Sequence, residues 1–195
     1  MRSQQLIAYA FAAGLISLSA GSALADDVNP NTLLKGKYRF SQNNTCVMVS
    51  DSVGFTQPPD LLTTGDGFPA WLYLTGVANY DGRGNFTLTD HGLFIAGPGP
   101  FPPGSRPVST FEDNCSGTYT VNRNGRFIQE GSCTATDGSY MLTGLKFEGQ
   151  IGSEGSVLTL SSVEPVVQTL VGNGFITKRI CGTQVTSVRI LQEQD

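Results

Sequence analysis

The chain has 195 residues, with 12 Lys or Arg against 16 Asp or Glu and a formal net charge of -4. That length fits a leader plus one domain, and the few, scattered basic residues exclude a nucleic-acid footprint. Only 14% of the residues are charged, while glycine occurs 24 times and proline 10 times, a balance that suits short strands and tight turns better than helices.

Residues 1–25 read as a secretory signal. Arg2 is the one charge, residues 6–18 are apolar, and small residues lead to Ala23-Leu24-Ala25. A basic start, a short hydrophobic run and an A-x-A site are the parts of such a leader. Cleavage is expected before Asp26, leaving residues 26–195 as a single domain. No later apolar segment reaches the length of a membrane helix, so no integral span is expected.

Along the mature chain the expected strands follow period-2 alternation. Residues 36–41 form one, and residues 45–50 a second after an Asn43-Asn44 turn. Residues 51–67 are turn-rich and read as a loop. Residues 68–80, with Trp71 and Tyr73, make a core strand. Asp81-Gly82-Arg83-Gly84-Asn85 is a hairpin turn leading into residues 86–90. Residues 97–107 hold too many prolines for a central strand and read as a surface loop. Residues 116–121 and 126–132 form a hairpin. Further strands are expected at 140–150, 156–163, 166–171, 175–181 and 184–191, the last two separated by Gly182-Thr183.

Cys46, Cys115, Cys133 and Cys181 all lie after the leader, and an even count in an exported chain favours disulfides. Asn122-Arg123-Asn124-Gly125 suits a type I turn followed by a left-handed glycine, the three-residue hairpin loop. Asn124 is then the centre of symmetry, and Cys115 and Cys133 each lie nine residues from it. Counting outward puts them at a non-hydrogen-bonded pair, where Cα atoms approach to about 4.5 Å. Cys46 is left to pair with Cys181, tying the first strand region to the last.

Eight to ten short strands, joined mainly by turns, indicate an all-β fold. A single antiparallel up-and-down β-barrel is favoured over a β-sandwich, because consecutive hairpins pair sequence neighbours and a first-to-last disulfide suits a sheet that closes on itself. Three phrases carry a resemblance: Leu34-Lys35-Gly36-Lys37-Tyr38-Arg39-Phe40, Tyr80-Asp81-Gly82-Arg83-Gly84-Asn85-Phe86 and Cys115-Ser116-Gly117-Thr118-Tyr119-Thr120-Val121. With its G-x-Y-x-F, F/Y-D-G-x-G-N and C-x-G-x-Y-x-V phrases, the chain resembles uncharacterised exported bacterial β proteins associated with lipocalin-like (calycin-like) barrels. The resemblance implies a bacterial protein of the periplasm or the medium. Its motifs are turn and strand grammar and bring no catalytic residue with them.

Trp71, Tyr73, Phe86, Tyr119, Phe127 and Phe147 lie in expected strands and are expected to point inward, where they either fill the barrel or line a pocket for one small ligand. His91 is the lone histidine. Its neighbour Asp90 would point to the opposite face of the strand, so His91 reads as a strand-end surface residue. Asp51, Asp60, Asp66, Glu112, Asp113, Glu148, Glu154 and Glu164 read mostly as solvated turn residues. No catalytic residue, metal site or cofactor is expected. The favoured reading is a non-enzymatic exported barrel that binds a small apolar or amphipathic molecule. A surface-interaction module with a filled core is the alternative, its protein partner unidentified, and an enzyme is the third.

Overall fold

The computed structural model describes residues 29–50, 54–56, 67–99 and 107–191. The expected leader and its cleavage site lie outside these, as do most of the two expected loops at 51–67 and 97–107.

Among the described residues nine strands make one antiparallel sheet: β1 (Lys35–Ser50), β2 (Phe68–Asp81), β3 (Asn85–Ala96), β4 (Val108–Val121), β5 (Arg126–Ala135), β6 (Tyr140–Ile151), β7 (Val157–Ser161), β8 (Gln168–Gly172) and β9 (Phe175–Arg189). Each pairs with its sequence neighbour from β1 to β7, and β9 returns to pair with β1. That last pairing closes the barrel and removes both sheet edges, so the sandwich alternative is set aside. β7 and β8 share one position. β7 pairs with the distal part of β6 at Glu148–Ile151 and β8 with its start at Tyr140–Thr143, and both lie against β9. The barrel therefore has eight strand positions, one of them filled by two short strands in succession.

Two expected breaks are absent. Asn43-Asn44 does not turn, and residues 36–50 are one strand. Gly182-Thr183 does not turn either, and β9 runs unbroken through it. β1 lies between β2 and β9, so Asn44 is paired with Leu72 on one side and Thr183 on the other, and β1 alone pairs Gly182 and Thr183, between the stretches of β9 that pair β8 and β7. Cross-strand pairing outweighs the local turn preference of Asn and Gly.

The 122–125 hairpin forms as the sequence dictates. Gly125 takes φ +79° and donates to the Asn122 carbonyl, while the Asn122 amide donates to the Arg126 carbonyl. The register then runs without a slip from Val121↔Phe127 to Cys115↔Cys133. Both disulfides are present, Cys115–Cys133 across this hairpin and Cys46–Cys181 across the closing seam. At the β2–β3 turn, Asp81 accepts hydrogen bonds from the Asn85 side chain and from the backbone amides of Arg83, Gly84 and Asn85. Those donors, Asn85 foremost, hold its carboxyl down at about 2. The Asp81 carboxylate serves the hairpin.

One end of the barrel is packed solid. A short 3-10 helix, Pro30–Leu33, lies across it, capped by Asn29 and anchored where Asn31 Oδ1 accepts the Val121 amide at 2.8 Å. Leu34 is fully buried beneath it. Tyr38, Tyr80 and Tyr119 stand edge to face around the axis, with ring centroids 5.5 and 5.2 Å apart. Their hydroxyls are all satisfied, by the carbonyls of Gly155 and Leu34 and by Gln129 Oε1. Phe40, Phe127, Ile151, Leu158 and Val185 complete this floor.

The outer faces of β1 and β4 are mostly polar, while Val47, Tyr73, Val108, Met141 and Val188 are exposed apolar side chains of the wall. Lys37, Arg39, Ser41, Asn43 and Thr45 of β1 are exposed, as are Glu112, Asn114, Ser116, Thr118 and Thr120 of β4. Among the described residues no helix is long and apolar enough to cross a membrane.

Candidate functional site

Strand alternation and the cysteines together decide which side chains enter the barrel. Cys46, Cys115, Cys133 and Cys181 are all buried, so on each of their strands every second residue from the cysteine also faces inward. This phase brings in Gln42, Asn44 and Met48 from β1, Phe111 and Asp113 from β4, Gln129 from β5, and Thr177 and Arg179 from β9. β3 contributes Phe86, Leu88, Asp90 and Phe94.

Above the tyrosine floor these side chains surround a cavity of about 320 Å³. It lies towards the end at which β1 leaves for β2 and β3 leaves for β4. Leu72, Leu74, Leu88, Phe94, Phe111, Leu142, Leu145 and Phe147 make most of its wall. The volume sits at the lower end of the ~300–1,000 Å³ range of small-molecule pockets, which are likewise mostly apolar with a few placed polar groups. Glycines shape the wall. Gly92 has the Phe111 ring over it, and Gly76 faces Asp90 where a Cβ would meet the β3 backbone.

The polar groups gather around two carboxylates. Asp90 on β3 and Asp113 on β4 are direct cross-strand partners. Asp113 is only 4% exposed and accepts the Tyr140 hydroxyl at 2.5 Å. Arg179, also buried, donates from Nε to Gln168 Oε1 at 2.7 Å rather than to either carboxylate. Asp90 Oδ1 is buried and has no hydrogen-bond partner among the described residues. On β1, Gln42 donates to Asn44 Oδ1 at 2.9 Å.

Burial dominates the electrostatics. It pushes the Asp90 carboxyl up to about 7, helped by the Asp113 charge and opposed by the Asp113 amide and by Arg179. Asp113 is raised by burial too, with Tyr140 and Arg179 pulling it back and Asp137 adding to the rise. The same burial, together with Asp113, makes the Tyr140 hydroxyl harder to ionise. Arg179 is drawn down to about 10 by desolvation, against the pull of Tyr140, Asp113 and Asp90.

The six aromatic candidates divide into three pairs. Phe86 and Phe147 line the cavity. Tyr119 and Phe127 are packed into the floor. Trp71 and Tyr73 do not point inward, because the inward positions of β2 are the even-numbered ones, Ala70, Leu72, Leu74, Ala78 and Tyr80. Tyr73 is 49% exposed and Trp71 lies half-buried against Gly97 on the outside. His91 is on the outer surface as expected, but in mid-strand, with Nδ1 3.5 Å from Glu112 Oε1. Asp113 is no solvated turn residue: its parity on β4, two residues from Cys115, puts it inside. Asp51, Asp60 and Asp66 lie outside the described residues. Glu112, Glu154 and Glu164 are exposed, and Glu148 pairs with Arg126.

Asp90, Tyr140 and Arg179 were not legible as site residues from composition or motif. The signal was their phase. Asp90 continues the Phe86, Leu88 series, and Arg179 lies two residues from Cys181.

The wall, floor and cavity together make a closed lipocalin-like up-and-down barrel with a partly hollow interior. Comparison with protein-family models, with curated proteins and with solved structures found no match.

Proposed function

We propose that the protein is an exported, non-enzymatic barrel that holds one small amphipathic molecule in its interior. The observation that carries this reading is the contrast between the two ends: side chains fill the floor, while the upper half leaves about 320 Å³ walled mainly by apolar groups with a few charged and amide side chains among them. The two disulfides support an oxidising compartment, periplasm or medium, which is where the leader expected at 1–25 would deliver the chain. On this reading it belongs with the exported bacterial lipocalin-like proteins its turn and strand phrases resemble. Titration with an environment-sensitive apolar fluorophore tests it. A saturable, one-to-one rise in emission, reversed by a small amphiphile, is expected. No saturable signal would count against it.

Asp90 favours a second reading. A buried carboxyl poised near neutrality in a cavity, beside Asp113 and Tyr140, suits proton transfer. Isomerase and hydrolase screens on the parent and on Asp90→Asn separate the two, since only an enzyme shows an activity that the variant loses.

A further inference from the structure

The interior carries unequal charge. Two carboxylates, Asp90 and Asp113, and one guanidinium, Arg179, face the same cavity. Asp113 has its partner in the Tyr140 hydroxyl, and Arg179 has one in Gln168. Asp90 is 9% exposed, and its Oδ1 is buried without a hydrogen-bond partner among the described residues. An isolated buried carboxylate is costly unless something donates to it and balances its charge. From across β2, nothing does: the residue opposite Asp90 there is Gly76, which has no side chain.

Building on the interior-binding reading above, we propose that the ligand is an amphipathic organic cation, whose protonated amine donates to the Asp90 carboxylate while its apolar body lies against Leu72, Phe94, Phe111 and Leu142. Charge decides between head groups. A carboxylate or phosphate would bring a further negative charge beside two carboxylates. A hydroxyl would fill the hydrogen bond but leave the surplus charge. An ammonium does both. A divalent metal ion is a poorer fit, because among the described residues no three His, Cys, Asp or Glu side chains converge, and such ions take six or more oxygens or a closed set of donors. The apolar wall also calls for a hydrocarbon body, which a bare ion lacks.

Three ligands with one tail test the assignment: n-octylamine, n-octanol and n-octanoate, each titrated by displacement of the apolar fluorophore at about pH 8, where the amine is protonated and Asp90 is mostly ionised. The amine is expected to bind at least ten times more tightly than the alcohol, and the acid more weakly than either. Asp90→Asn is expected to bring the amine down to the alcohol's affinity. The comparison on the unaltered protein decides the head group without any variant. Octanoate binding tightest, or amine and alcohol binding alike, would overturn the assignment while leaving interior binding intact. An amine preference that survives Asp90→Asn would overturn Asp90 as its acceptor. If the fluorophore binds and none of the three displaces it, the cation assignment falls; if the fluorophore itself does not bind, the interior-binding reading falls with it.

Discussion

Asp90 and Asp113 stand directly opposite each other on β3 and β4, with both carboxyls inside the barrel. Like charges placed directly across a ladder destabilise a sheet, and burial sharpens the repulsion. A pair of this kind costs the fold stability, and the structure around it limits the cost unevenly: Tyr140 donates to Asp113, while Asp90 Oδ1 is left without a hydrogen-bond partner among the described residues.

The pH dependence of stability should carry the mark of that pair. The Asp90 carboxyl is raised to about 7 in the folded protein, against about 3.9 in an unfolded chain. Between those values the folded state binds more protons than the unfolded one, so the stability Asp90 contributes is fully present below about pH 4 and lost as pH rises to 7. The slope from one such group is at most about 1.4 kcal/mol per pH unit. Asp113, also raised, acts in the same sense, and Arg179 titrates well above the window. Asp81, held at about 2, acts below it. Denaturant midpoints from pH 4 to 8 should fall for the parent and fall less for Asp90→Asn, which should be the more stable of the two at pH 8. A parent midpoint that climbs across this range would contradict the argument.

The two disulfides should differ in weight. Cys46–Cys181 closes a sequence separation of 135 and Cys115–Cys133 one of 18. Loop entropy assigns them about 5 and about 3 kcal/mol. Replacing Cys46 and Cys181 together by Ala should therefore cost more in urea unfolding than replacing Cys115 and Cys133, and the opposite order would refute the seam as the larger restraint.

Gly117 should resist substitution. A Cβ there would come within 2.0 Å of the Glu130 carbonyl oxygen and 2.8 Å of the Phe86 ring, which covers this glycine. Gly117→Ala is expected to lower stability by about 1–3 kcal/mol, the usual cost of overpacking. Thermal unfolding measures it, and an unchanged midpoint would show that the β4–β5 ladder yields more easily than its geometry implies.

Filling the hollow should separate binding from folding. Leu145 is half-buried and lines the cavity. Leu145→Trp should reduce fluorophore affinity at least tenfold while the protein still unfolds cooperatively. Affinity that does not change would place the probe elsewhere than the interior.

Much of the architecture was written locally. The symmetry of Cys115 and Cys133 about Asn124 gave their pairing because a two-residue period and a three-residue loop leave no freedom in register. Asn43-Asn44 and Gly182-Thr183 misled because their turn preferences are local, while the ladders that straighten them come from strands more than twenty residues away in sequence. Strand parity is legible in the sequence. Trp71 and Tyr73 fall one residue out of phase with Leu72 and Leu74, and a single step turns an aromatic from lining to surface. Asp113 and Arg179 announce themselves two residues from Cys115 and Cys181, once the cysteines are known to face inward. The cavity itself was not legible. Whether eight strand positions enclose a void depends on side-chain volumes summed around the whole barrel, and the floor, with Tyr38, Tyr80 and Tyr119, shows that the same wall can also be filled.

Native mass spectrometry of the protein purified from its own host tests the central claim most directly. The account predicts a folded species heavier than the polypeptide by the mass of one small amphiphile, released on denaturation and carrying an amine. A folded species at the bare polypeptide mass, which gains nothing on incubation with octylamine, would contradict it.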